Sequence, residues 1–178
     1  AFQETTRELW GRKSDFTPLQ GFPEEMPYFC LRVPTGGGKT LLAAKSVALV
    51  NSHLLMSEHS VILWLVPSKA IRDQTLAGLR GLDHPYHAAL REAGPITVMD
   101  LDEAKSLTRS TLETSTVIIV ATRQAFQVGN EEIRKVYDSS GSLMPLFEDL
   151  SPEQRAQLLK DKDGTTIPFS LANALRLR

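Results

Sequence analysis

The sequence predicts an α/β domain built on a mostly parallel sheet, and three observations predict it. Four apolar runs, "YFCLRV" (28–33), "VILWLV" (61–66), "PITVMD" (95–100) and "TVIIVA" (116–121), have strand length and are rich in β-branched or aromatic residues. Helical segments separate them, and their nearly unbroken apolarity marks strands covered on both faces. The first run opens directly into "PTGGGKT" (34–40), three consecutive glycines before a lysine and a threonine.

The helices follow from their start and stop signals. One is predicted from Lys39 to about Met56, a second from Ala70 to Leu79 with Gly81 as its stop, and a short third from Tyr86 to Ala93 closed by Gly94. Beyond Ala121 the pattern loosens. "TRQAFQV" starts like a helix, "GNEEIRKVYDSSGS" offers an N-cap at Asn130, and "SPEQ" (151–154) places Ser at N-cap, Pro at N1 and Gln at N3. Three parts are expected: a lead-in over 1–27, a core over 28–126, and a helical insertion within 127–178 that leads toward a further strand.

Composition narrows the classes. With 178 residues, 42% hydrophobic and 23% charged, the chain is that of an ordinary globular domain. Lys and Arg number 20 against 21 Asp and Glu, a net charge of −1, so any anion site must be local. No apolar stretch reaches the length of a membrane span, and no membrane partner is expected. The single cysteine, Cys30, excludes an internal disulfide framework and a multi-cysteine zinc site, which fits a reducing cytoplasm; its apolar run reads as core.

The glycines have a physical reason. A parallel strand that ends in a Gly-rich loop and feeds a helix N-terminus turns successive backbone N–H groups toward one point, where the helix dipole favours an anion. Gly36, Gly37 and Gly38 let the backbone wrap closely around a phosphate and take positive φ where required. Lys39 places a point charge on the β- and γ-phosphates of ATP, and the Thr40 hydroxyl is set to bind Mg²⁺. The consensus for such loops is G-x-x-x-x-G-K-[ST], and Val33 stands where its first glycine belongs.

"VPTGGGKT" resembles motif I of superfamily 2 helicases and translocases, DEAD/DEAH-type proteins in which that first glycine is often replaced. "LVPSKAIRDQT" (65–75) resembles motif Ia, and "VIIVATRQAF" (117–126) resembles the later strand whose terminal Thr begins another nucleic-acid contact. Together they are most similar to the motor of the Res subunit of type III restriction enzymes. The resemblance implies a P-loop NTPase with a RecA-like three-layer sandwich, of which this chain would be the N-terminal portion of the first lobe, incomplete at its C-terminal side. Pro34, Thr35, Gly36, Gly37, Gly38, Lys39 and Thr40 would bind nucleotide, with Lys39 also catalytic. Ser68 and Lys69, with Arg72 and Gln74 on the following helix, and Thr122 and Arg123 would touch DNA phosphates without reading bases. The implied partners are DNA, a second RecA-like lobe, and nuclease or modification subunits.

The remaining candidates are weaker. "FTPLQ" (16–20) is similar to the upstream adenine-recognising glutamine motif, with Gln20 only 19 residues before Lys39. "HPYH" (84–87) reads as an exposed turn rather than a metal site, and His53 and His59 show no partner. An ATPase of this class also needs an acidic pair after an apolar strand. Asp102 and Glu103 in "VMDLDEAK" read instead as a helix start near its positive end, so the 178 residues are expected to bind nucleotide at best weakly and to show no appreciable turnover. A P-loop kinase acting on a small molecule and a non-catalytic nucleotide-binding module stay open as alternatives.

Overall fold

The computed structural model describes residues 2–13, 15, 17–18, 20, 26, 28–126, 136–161 and 163–177. They fall into two compact units, residues 1–37 and 38–178.

In the first unit, helix α1 (Phe2–Trp10) occupies a segment to which the sequence reading assigned no element. Its C-terminal end is closed by the Gly11 amide donating to the Arg7 carbonyl at 2.9 Å. The run 28–33 forms no strand among the described residues, contrary to expectation. Strand preference is a preference for a pleated, covered surface rather than for a backbone angle. Here that cover is missing: Tyr28, Phe29 and Leu31 are exposed. Cys30 is exposed with them, which corrects its reading as core.

The second unit carries the sheet. Its strands are β1 (Val61–Val66), β2 (Ile96–Asp100) and β3 (Thr116–Thr122), in the order β1-β3-β2 and all parallel. Their sequence runs are those expected, to within a residue at each end. β3 is central, and all seven of its residues are buried. In a parallel ladder alternate residues face opposite layers, so Ile118 and Val120 look one way, Val117 and Ile119 the other.

Helix α2 (Lys39–Leu49) continues into a π-helical turn over Val50–Leu55 that stops at Met56, φ 49°. After β1 come α3 (Lys69–Arg80), capped by Gly81, and α4 (Pro85–Leu90), followed by a 3₁₀ turn closed at Gly94 with φ 88°. Ala44 and Val47 of α2, Leu76 and Leu79 of α3, and Leu90 of α4 pack on Ile118 and Val120. These helices form one layer.

The opposite layer comes from α5 (Arg109–Thr114) and from residues expected to form an insertion. Leu143, Leu146 and Phe147 of a 3₁₀ segment, Leu158, and Leu171 and Ala174 of a last short helix bury Val117 and Ile119 together with Leu107 and Leu112. The described part of 127–170 is therefore a covering layer of the sheet, and the sandwich has the three layers expected. Ser151 makes the capping box read from "SPEQ", with Gln154 returning the bond to the Ser151 amide. The fully buried Asn173 clips this layer together by accepting from the Leu159 amide at 2.7 Å and donating to the carbonyls of Leu159 and Pro168. The N-cap read at Asn130 lies outside the described residues.

Core and edge are thus separated along one register. Ile119 is fully buried and its partner Leu63 is 39% exposed. Ile119→Ala is expected to cost about 3 kcal/mol of unfolding free energy and Leu63→Ala about 1 kcal/mol, as measured by urea denaturation. Equal losses would show that the β1 edge is covered.

Candidate functional site

The glycine-rich stretch crosses from one compact unit to the next. In the first, the Gly37 amide donates to the Pro34 carbonyl at 3.0 Å, which folds 34–37 into a turn. Gly36 sits at φ 79°, open to left-handed backbone that side chains disfavour. Gly37 is constrained by space instead: a Cβ there would stand 2.8 Å from Val33 Cγ1 and 3.1 Å from the Pro34 carbonyl oxygen. Val33, which replaces the consensus glycine, therefore occupies the room a side chain at position 37 would need.

In the second unit, Gly38 has φ 80° and stands at the N-cap of α2, with its carbonyl accepting from the Leu42 amide at 2.9 Å. Gly38 supplies no side-chain cap to this 11-residue helix. Lys39 is exposed and Thr40 half-buried.

A second group of candidates gathers where the strands of the sheet end. Ser68 is the N-cap of α3, its hydroxyl accepting from the Ile71 amide at 3.4 Å. Lys69, Gln74 and Arg123 are exposed. Arg72 is half-buried and pairs with Asp73 at 2.8 Å, which offsets its charge. Thr122 is 4% exposed, so its hydroxyl is withdrawn from the surface on which a backbone phosphate would lie. It lines a cavity of about 30 Å³ with Arg72, Asp100, Asp102 and Ala125. Gln124, which sequence reasoning passed over, donates from Nε2 to the Pro67 carbonyl at 2.9 Å.

The acidic residues are committed elsewhere. Glu103 forms an ion pair with Arg80 and accepts from the Asp100 amide at 2.7 Å, while Asp102 pairs with Lys105 at 3.0 Å. The expected helix start is a 3₁₀ turn over Glu103–Ser106 with Asp102 at its N-cap, and Asp100 Oδ1 accepts from the Asp102 and Glu103 amides. The two histidines of "HPYH" are held within the fold: His84 Nδ1 caps α4 by accepting from the Tyr86 amide, and His87 Nδ1 bonds the Leu79 carbonyl. No metal-holding cluster occurs among the described residues. Gln20, in the first unit, is exposed. Among the described residues, no helix is long and apolar enough to cross a membrane.

A parallel sheet between two layers, joined in sequence to a glycine-rich loop that opens a helix, defines a P-loop domain of the RecA-like class. A family model described as type III restriction enzyme, res subunit, matches residues 4–161, and the chain belongs to that family of helicase-like, ATP-dependent motors. No curated protein and no solved structure is significantly similar to it.

The ion pairing of Glu103 has a measurable consequence. Both partners are substantially exposed, so Glu103→Gln is expected to lower stability by at most about 1 kcal/mol and to leave nucleotide affinity unchanged. Loss of nucleotide binding in this variant would restore Asp102 and Glu103 as candidates for the acidic pair.

Proposed function

We propose that residues 34–40 bind ATP and that the sheet's strand-end surface holds DNA by its phosphates, as the nucleotide-binding lobe of a DNA translocase or helicase of the restriction type. The observation that carries this reading is the loop itself: left-handed Gly36 and Gly38, a Gly37 with no room for Cβ, and a helix that opens without a side-chain cap. Those features suit a triphosphate, because glycine backbone can wrap closely around phosphates and a helix N-terminus favours an anion.

Each residue then has a role. The backbone from Pro34 to Gly38 wraps the phosphates, with Thr35 in the turn. Lys39, the only cation between Pro34 and Thr40, sets its ammonium against the β- and γ-phosphates and is the group here that touches the reacting phosphoryl. The Thr40 hydroxyl is a ligand suited to Mg²⁺, an oxygen-seeking ion. Bound Mg²⁺ would supply charge neutralisation on the bridging oxygens. The ion pairs of Glu103 with Arg80 and of Asp102 with Lys105 support reading these two residues as structural, and efficient hydrolysis would then call for another carboxylate pair and for the second lobe implied by the family.

Lys39→Ala should reduce affinity for Mg-ATP at least tenfold in calorimetry, about the worth of one charge-assisted contact, with an unchanged circular dichroism spectrum. Thr40→Ala should weaken only the Mg²⁺-dependent part. Undiminished ATP binding by Lys39→Ala would remove the phosphate-loop reading.

For DNA, a net charge of −1 and few cations at the strand ends imply weak binding with a shallow dependence on salt. Lys69→Ala and Arg123→Ala should each lower the slope of log K against log salt by about 1, by the same amount on unrelated sequences. A change confined to one sequence would instead mean base readout.

A further inference from the structure

The two segments assigned to DNA phosphates leave the sheet side by side. β1 and β3 are adjacent and parallel, and their register pairs Val66 with Thr122. Residues 67–69 and 123–124 are therefore the first beyond the ladder on neighbouring strands. There the ladder cannot continue in the ordinary way, because Pro67 has no N–H to donate. Its carbonyl is taken instead by Gln124 Nε2 at 2.9 Å, a bond that reaches across 57 positions of sequence.

We propose that Gln124 is a positioning residue that sets the spacing between Ser68–Lys69 and Arg123, so that both segments engage one DNA backbone together. The inference rests on the DNA reading above. Its geometry is a short lever. Gln124 lies between the exposed Arg123 and Ala125, which is 1% exposed and anchors the turn Arg123–Phe126 against the core. On the other side Pro67 adjoins Ser68, whose hydroxyl starts α3. The amide thus ties one buried anchor and one helix cap into a single frame carrying Lys69 and Arg123.

Because the amide is neutral, it adds nothing to long-range attraction. Because it is exposed, its hydrogen bond adds little to global stability. What it can change is whether two phosphate contacts are made at once. Loss of that coincidence raises the dissociation rate and leaves the association rate alone.

The test uses the full 178-residue chain, a fluorescein-labelled mixed-sequence DNA in single- and double-stranded form, and low salt. Gln124→Met keeps the length of the side chain and removes the donor. It should weaken binding about fivefold through faster dissociation, with unchanged association and thermal unfolding. In a Lys69→Ala/Arg123→Ala background the same substitution should have no further effect. A fivefold loss that persists in that background, or no loss in the otherwise wild-type chain while Lys69→Ala/Arg123→Ala does lose affinity, overturns the positioning role alone. If the wild-type chain binds no DNA, or Lys69→Ala/Arg123→Ala binds as well as wild type, the DNA reading fails and the positioning role with it.

Discussion

The second unit depends on the burial of one strand. β3 is paired on both sides and covered on both faces, with every residue from Thr116 to Thr122 out of solvent. A strand in that position can carry only residues that need no water, and "TVIIVAT" meets the condition. Its threonines are the exceptions that prove useful: the Thr116 hydroxyl accepts from Asn51 at 3.0 Å, which fixes the turn after α2 to the start of the sheet. At the other end Thr122 is the last buried residue, and Arg123 the first in solvent.

Much of this was legible in local pattern. The β1 run was read to the residue, because an apolar stretch bounded by His59–Ser60 and Pro67 offers no other ends. The capping box at Ser151 and the stops at Gly81 and Gly94 were also visible, since each is set by residues within four positions. What escaped was non-local. The run 28–33 has a strand's composition and lacks a strand's neighbours, so composition misled. The covering role of Leu143, Phe147 and Leu171 could not be read because their apolar contacts are with β3, 20 residues or more away in sequence. For the same reason the burial of Thr122 and the bond from Gln124 to Pro67 left no trace in spacing.

The phosphate loop divides differently. Its motif was plain in sequence, yet the three glycines are not equivalent. Gly36 and Gly38 are there for their left-handed φ, and Gly37 because Val33 and Pro34 crowd the place of its Cβ. The replacement of the consensus glycine by Val33 and the presence of a third glycine are then one feature. A branched residue at the start of the loop moves the demand for space three to four residues along, where only glycine meets it.

On the DNA reading proposed above, a chain with a net charge of −1 would have to engage a polyanion through local features of the strand-end surface. Bulk charge does not attract DNA, Asp100 and Asp102 stand beside the small cavity, and Arg72 is offset by Asp73. Attraction is left to short-range features: the N-terminus of the 12-residue α3, the exposed Lys69, and Arg123 on the neighbouring strand end. Such contacts are screened by salt beyond about 10 Å, so they would hold a backbone only where it lay close to the sheet edge. Such weakness would suit the translocation proposed above, because a lobe that released and regained a backbone at every step would be served by few, sequence-blind contacts of fixed spacing and hindered by a strong field. The rigidity of the frame would then matter more than the number of charges, because two modest contacts made together give a grip that neither gives alone.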